Sequence, residues 1–101
     1  MKQNNLYSLL DLLKERQELY IGDDNFTTLC NNINGYRLYC HHNSIVENLV
    51  PSWENFQDFV AEQLNYYEST SGYMNMILER NDFNEQKSLM NFYLLLDAFR
   101  K

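Results

Sequence analysis

Hydrophobic residues recur along this chain with the spacing of an α-helix. Four leucines near the N-terminus follow the i, i+3, i+4, i+7 pattern of one helical face: Leu6, Leu9, Leu10 and Leu13. β-branched residues are few, and no run alternates between apolar and polar as a half-buried strand does. Asn4 or Asn5 can cap this first helix, and we expect the helix to end near Arg16, before the segment 19–22.

A second helix is predicted to follow Asp23, Asp24 and Asn25, whose side chains can cap it. The negative charge of the two aspartates also suits a helix N-terminus. Six residues trace its apolar face: Phe26, Leu29, Cys30, Ile33, Tyr36 and Cys40. Gly35 lies inside this pattern, where glycine weakens a helix, so we expect another helix to approach closely there. The second helix should fray around residues 41–43.

Three shorter helical patterns fill the C-terminal half. Ser52 is placed to cap a third helix. The apolar face of that helix comprises Trp53, Phe56, Phe59, Val60 and Leu64. Residues 69–72 form a break, residues 73–80 form a short apolar helix, and the segment from Asp82 to Glu85 has the spacing of a capping box. The apolar positions of the last helix include Leu89, Phe92, Tyr93, Leu96 and Phe99.

These patterns predict an all-α fold, a compact single-domain bundle of about five helices over residues 1–101. The length suits one domain, and a hydrophobic content of 45% with 15% aromatic residues supplies enough material for a core. No internal repeat and no low-complexity linker divides the chain.

Charge narrows the classes of partner. Fourteen acidic and eight basic residues leave a net charge of −6. Nucleic acids and anionic membranes are therefore disfavoured as partners, because binding to either depends on cationic residues. The same charge would speed the encounter with a basic protein, and it would equally keep a small protein soluble. Both explanations stay open at the level of composition.

The chemistry of a catalytic or metal site is missing from the sequence. His41 and His42 are adjacent, so on a helix they point about 100° apart, whereas chelation from a helix needs ligands at i and i+4. Cys30 and Cys40 would lie about 15 Å apart on one helix, too far for a disulfide. Three glycines form no phosphate-binding loop. We therefore expect no enzyme activity, no metal and no cofactor.

The expected location is the cytoplasm. No apolar run follows Met1 and Lys2, as a secretory signal would require. No stretch approaches the roughly 18 apolar residues of a membrane span.

The most informative polar pattern lies on the predicted third helix. Glu54, Asp58 and Glu62 follow the spacing i, i+4, i+8 and should form one acidic stripe opposite the aromatic face. No lysine or arginine occurs between Leu38 and Met76 in the sequence. The stripe is either a solvated helix face or a surface complementary to a basic protein.

Further residues could enlarge this acidic stripe. Tyr66 and Tyr67 could flank it as aromatic anchors, and Glu47 could extend it upstream. Asp23 and Asp24 form a second acidic spot, although helix capping explains at least one of them.

Several segments resemble a group of small bacterial proteins that carry a helix followed by an RPxMYIG motif. The resemblance rests on the segments 9–16 and 19–22, on Asn34-Gly35-Tyr36, and on the segments 56–60, 69–73, 77–78 and 94–99. Gln17 and Leu19 stand where the motif has Pro and Met. Some members of the group resemble immunity proteins of contact-dependent growth inhibition systems, which neutralise a toxin encoded beside them.

The resemblance implies an immunity protein. Together with the acidic stripe, it leads us to expect a chain that binds a cognate basic toxin domain, a nuclease, and covers its active site with an acidic surface. Such a protein would be monomeric before it binds. The alternative is a non-catalytic structural or adaptor module that self-associates through apolar surface and tolerates high salt.

Overall fold

A computed structural model describes residues 5–101, and all regular structure in that range is helical. It contains five α-helices: α1 (Leu6–Ile21), α2 (Phe26–His42), α3 (Phe56–Gln63), α4 (Gly72–Arg80) and α5 (Glu85–Arg100). A single 3-10 turn, Trp53–Asn55, precedes α3. The predicted all-α class with about five helices is confirmed.

Contacts between Cα atoms divide the chain into two units. The N-terminal unit (Met1–Leu49) contains α1 and α2, and the C-terminal unit (Val50–Lys101) contains α3, α4 and α5. In the first unit α1 packs against α2, and in the second the three helices pack against one another in pairs. A single domain over residues 1–101 stays a prediction.

The start of α1 is a capping box. The Asn5 side chain accepts a hydrogen bond from the Ser8 backbone N–H, and the Ser8 hydroxyl accepts one from the Asn5 backbone N–H, both at 2.9 Å. Two of the N–H groups that lack a partner inside the helix are thereby satisfied. Asn5 is therefore the cap; the alternative, Asn4, lies outside the described residues.

Helical geometry breaks at Arg16, where the first helix was expected to end, but a second helical stretch follows, so α1 as a whole extends beyond the predicted end. Arg16 leaves the helical conformation, with φ −146° and ψ 56°, but the helix resumes and continues to Ile21. It ends at Gly22, whose φ of +96° is in the left-handed region and whose N–H donates to the Glu18 carbonyl.

Directly after the kink, Gln17 turns into the N-terminal unit and is only 3% exposed. Its Nε2 donates to the carbonyl oxygens of Asp23 (3.1 Å) and Asn25 (3.0 Å). The side chain thus holds the connection between α1 and α2. A polar residue after a leucine pattern gave no sign of this role in the sequence.

The predicted apolar face of α2 is largely confirmed. Five of its six residues are buried: Phe26, Leu29, Cys30, Ile33 and Cys40. Both cysteines are free thiols, as the helical spacing predicted. Gly35 does not mark a close approach, because it is exposed and a Cβ placed on it meets nothing within 4 Å. That prediction is wrong. The helix ends at His42.

The third helix begins later than predicted. Ser52 precedes the 3-10 turn and makes no capping bond to the backbone; its hydroxyl donates instead to Glu54 Oε2 at 2.9 Å. The α-helix itself starts at Phe56.

Phe56 lies at the centre of the C-terminal core and is fully buried. Its ring stacks on Trp53 with centroids 4.8 Å apart. Three further rings contact it edge to face: Tyr73, Phe92 and Phe99. Edge-to-face and offset arrangements are favoured by the quadrupoles of aromatic rings, so this cluster joins α3, α4 and α5.

The predicted capping box at Asp82 is wrong. Asp82 and Phe83 both have left-handed backbone conformations, with φ of 55° and 58°. The cap of α5 is Asn84, whose side chain accepts from the Lys87 backbone N–H at 2.9 Å. Asp82 and Phe83 therefore turn the chain between α4 and α5, and α5 begins at Glu85.

Candidate functional site

The acidic stripe, Glu54, Asp58 and Glu62, is exposed on the C-terminal unit. Asp58 and Glu62 both belong to α3 and lie one turn apart on one face. Glu54 lies in the 3-10 turn, where its carboxylate accepts from Ser52. The predicted continuous helical spacing therefore holds only for Asp58 and Glu62.

Asp58 is tied to the loop that follows α3. Its Oδ1 accepts a hydrogen bond from the Ser69 hydroxyl at 2.5 Å, across eleven residues of sequence. This bond orients the Asp58 carboxylate and keeps the loop beside the acidic stripe. The sequence showed a break at residues 69–72 and did not indicate this contact.

The same loop forms an open depression of about 390 Å³. Its lining residues are Tyr66, Tyr67, Glu68, Thr70 and Ser71. Tyr67 is fully exposed. Glu68 is also exposed, and it adds a carboxylate that was not among the predicted partner-binding residues. The structure therefore places Asp58, one exposed tyrosine and Glu68 on adjoining segments of chain.

Tyr66 is held by its own chain. Its hydroxyl donates to Glu79 Oε1 at 2.6 Å, and the Arg80 guanidinium lies over its ring, 4.2 Å from the centroid. Desolvation and the bond to Glu79 raise the pKa of Tyr66. The residue anchors the loop on α4 through a hydrogen bond and a cation–π contact, which leaves Tyr67 as the freely exposed ring.

Glu47 belongs to the N-terminal unit and is engaged there. Its Oε1 accepts from the Leu6 backbone N–H at 3.3 Å, and its Oε2 accepts from the Tyr36 hydroxyl at 2.5 Å. A carboxylate at the N-terminus of α1 is favourable both as a hydrogen-bond acceptor and toward the helix dipole. The structure thus gives Glu47 a structural role between α1, α2 and the segment after α2.

Tyr36→Phe should lower the free energy of unfolding by about 1–2 kcal/mol at neutral pH, because a half-buried hydrogen bond to a carboxylate is lost. Partial burial and the bond to Glu47 raise the pKa of Tyr36. The unfolded chain therefore loses this proton first as the pH rises. The stabilisation is complete below about pH 10 and is lost above it.

Urea unfolding between pH 7 and pH 11 measures this effect. Above pH 10 the unsubstituted chain should lose stability more steeply than Tyr36→Phe. Tyr39→Phe is the matched control, since Tyr39 lies on the same helix and is 59% exposed. Equal pH slopes for the unsubstituted chain and Tyr36→Phe would contradict the assignment.

Asp23 and Asp24, which form the second acidic spot, make different contacts. Asp23 accepts from the Asn25 backbone N–H and from the Thr28 hydroxyl, so it closes the turn before α2. Asp24 is exposed and shares a hydrogen bond with Glu18, and this bond raises the pKa of Glu18. Asp23 thus stabilises the turn before α2 but bonds no backbone N–H inside the helix, and the N-cap residue Asn25 makes no side-chain capping bond, so the predicted side-chain capping of α2 is wrong. Asp24 lies at the surface of the N-terminal unit.

Neither Asp58 nor Glu62 forms an ion pair with a lysine or arginine within residues 5–101. Arg80, the basic residue that follows the loop in sequence, contacts the Tyr66 ring and donates to the Leu64 carbonyl at 3.0 Å. Two carboxylates of the acidic stripe are thus available to an external cation.

The described part of the chain contains no cluster of three or more His, Cys, Asp or Glu side chains arranged to hold a metal. His41 and His42 are both exposed at the end of α2. Among the helices between residues 5 and 101, none has the length and apolar character needed to cross a membrane.

Comparison of the chain with protein-family models, with curated proteins and with solved structures gives no match.

Proposed function

We propose that this chain is an immunity-type inhibitor, which binds a basic protein toxin through the acidic stripe and the adjoining loop. The observation that carries the proposal is the pair Asp58 and Glu62, exposed on one face of α3 and unpaired with any cation in residues 5–101. Like charges one turn apart weaken their own helix slightly, so a cationic partner would relieve a repulsion that the isolated chain carries.

A nuclease domain is the toxin class that fits this surface. Its active site binds phosphates with cationic side chains, and carboxylates can occupy the places of those phosphates. Tyr67 supplies a fully exposed aromatic ring on the loop that Ser69 ties to Asp58. Tyrosine is enriched among the residues that contribute most to protein–protein binding, because it buries a large area at a small entropic cost. The proposal assigns no catalytic residue to this chain.

Co-expression tests the proposal directly. The neighbouring open reading frame is searched for a basic toxin domain, which is expressed with and without this chain. Rescue of growth together with co-purification of a stoichiometric complex is the expected result. If the chain neither rescues growth nor forms a complex with that toxin, the proposal is overturned.

Charge removal then locates the binding surface. Glu54→Gln, Asp58→Asn and Glu62→Gln combined should reduce the association rate with the toxin by about 10- to 100-fold and flatten its salt dependence. The matched control removes three exposed carboxylates from the N-terminal unit, with Glu15→Gln, Glu18→Gln and Asp24→Asn. Both variants change the net charge by the same amount.

Stopped-flow association at several salt concentrations measures both rates. The control should slow association by less than about threefold, because charges outside the proposed contact surface act only through the screened overall field. An unchanged rate for the acidic-stripe variant, or a larger effect from the control, would assign binding to another surface.

A further inference from the structure

Helix α5 leaves apolar side chains in solvent in addition to the face that it packs inward. Seven of the eight residues from Leu89 to Leu96 are apolar. Phe92 and Leu96 are buried, whereas Met90 and Leu94, one turn apart, are 68% and 67% exposed. The outer face of a surface helix is usually polar, so this exposed pair marks a candidate interface.

Met90 and Leu94 line an open groove of about 350 Å³, which we call the α5 groove. Leu64, at the C-terminal end of α3, adds a third apolar side chain to it. Two asparagines of the lining are hydrogen-bonded to each other, since Asn81 Nδ2 donates to Asn91 Oδ1 at 3.0 Å. Binding in the groove therefore depends mainly on its apolar side chains and its charges.

Both charged residues that line the α5 groove are cations, Arg80 and Lys87. Neither forms an ion pair with a carboxylate within residues 5–101, although the chain has fourteen acidic residues. No carboxylate belongs to the lining that the structure describes. An apolar groove that carries two such cations is complementary to an apolar segment that also carries negative charge.

The Arg80 side chain is already held in place beside this groove. Its Nε donates to the Leu64 carbonyl oxygen at 3.0 Å, and its guanidinium lies over the Tyr66 ring, 4.2 Å from the centroid. Ordering a long cationic side chain costs conformational entropy, and folding of this chain has met that cost for Arg80. A carboxylate that pairs with Arg80 therefore finds a pre-organised partner.

We propose that the α5 groove binds an amphipathic helix of a partner protein, whose apolar stripe is flanked by carboxylates. Met90 and Leu94 pack between apolar side chains that recur every three or four residues on that helix. The flanking carboxylates pair with Arg80 and Lys87. A purely apolar segment fits less well, because it would desolvate two cations without giving them a partner.

Other occupants are disfavoured by charge. A second copy of this chain, related by a two-fold axis, would set Arg80 and Lys87 against the same two cations. Anionic membranes and nucleic acids meet the overall charge of −6, which repels them. An acidic helix is small enough to meet the local cations of the groove before the wider field of the chain, which is screened beyond about 10 Å.

Two synthetic peptides of about 16 residues test the proposal, since shorter helices are marginal in water. Both carry a leucine stripe; one has glutamates on its flanks and the other has lysines. Backbone amide NMR of the full chain should show the acidic peptide binding with a dissociation constant on the order of 100 μM, with shifts at the groove residues. Binding should weaken as salt is raised. No binding of the acidic peptide at 1 mM, or equal binding of the two peptides, overturns the proposal.

Substitutions in the chain then locate the contact. Lys87→Glu should weaken binding of the acidic peptide about tenfold, whereas Lys14→Glu, the same charge change at an exposed position of α1, should weaken it less than about twofold. Leu94→Asp should weaken it at least about tenfold. Leu38→Asp is its matched control, since Leu38 on α2 is also 67% exposed. Equal effects within either pair would assign the peptide to another surface and overturn the proposal.

Two further measurements separate this proposal from its competitors. Vesicles of phosphatidylcholine and phosphatidylglycerol should not bind the chain; binding that Lys87→Glu abolishes would assign the groove to membranes and overturn the proposal. The combined Glu54→Gln, Asp58→Asn and Glu62→Gln variant should bind the acidic peptide at least as tightly as the unsubstituted chain, because the acidic stripe contributes no residue to the groove. Toxin binding and peptide binding are thus measured separately, and the two proposals fail separately.

Discussion

Phe56→Ala should lower the free energy of unfolding of the C-terminal unit by about 3–5 kcal/mol. Phe56 is fully buried, and its ring contacts four other aromatic rings from the turn before α3 and from α4 and α5. Alanine would leave a cavity where those rings meet, and neighbours held by their own contacts can collapse into it only partly. A unit of this size has a total stability of roughly 3–8 kcal/mol, so the expected loss is a large part of that total.

Circular dichroism during urea and thermal unfolding of the full chain measures this loss. Phe83→Ala is the matched control, because it removes the same side chain from a position that is 68% exposed. We expect its effect to stay within about 0.5 kcal/mol. If Phe56→Ala cost no more than Phe83→Ala, the aromatic cluster would not be the core of this unit.

Gln17→Glu should lower the free energy of unfolding of the N-terminal unit by about 3–5 kcal/mol at pH 7. The substitution keeps the shape of the side chain but replaces the amide Nε2, which donates to two carbonyl oxygens, with an oxygen that repels them. The charge would also be buried, because Gln17 is 3% exposed. A protonated carboxyl can donate one of the two bonds, so the loss should shrink as the pH falls toward about 4.

Urea unfolding at pH 7 and pH 4 measures both parts of this prediction. Gln63→Glu is the control for the added charge, since Gln63 is exposed at the end of α3. Gln17→Met removes the two hydrogen bonds without burying a charge. It should lower the free energy of unfolding by about 1–3 kcal/mol. A Gln17→Glu variant as stable as Gln63→Glu would show that the connection between α1 and α2 does not depend on this side chain.

The elements that sequence predicted well are those whose cause is local. The start of α1 follows from Asn5, one of the two predicted caps, which the structure shows paired with Ser8 three residues later. The buried face of α2 follows from the helical spacing of its apolar residues. Neither conclusion needs knowledge of a distant residue, because helix caps and amphipathic faces arise within a few turns of chain.

The predictions that failed concerned choices between equivalent local signals. Asp82 and Asn84 are both good caps, and the turn after α4 decides that Asn84 takes the position. Gly35 in a helical pattern predicts a close approach of another helix, but it is exposed on α2. A glycine on a helix is compatible with close packing or with solvent, and only its neighbours in space distinguish the two.

In the candidate site too, some features follow from local helix geometry and others depend on residues distant in sequence. That Asp58 and Glu62 lie on one face follows from helical geometry alone. The Ser69 contact of Asp58, the attachment of Tyr66 to α4 and the engagement of Glu47 by Tyr36 each join residues ten or more positions apart. No periodicity in the sequence encodes such contacts.

The sequence by itself determined the helical class, the inward faces of the helices, the reduced state of the two cysteines and the surplus of carboxylates. Only the tertiary structure decided which polar side chains serve the fold. Gln17, Asp23 and Glu47 do so, whereas Glu62, Tyr67 and Asp58, which also accepts from Ser69, are exposed. The physical reason is that backbone hydrogen bonding and apolar spacing act over a few residues. A side-chain polar group, by contrast, is satisfied by whichever partner the folded chain brings to it.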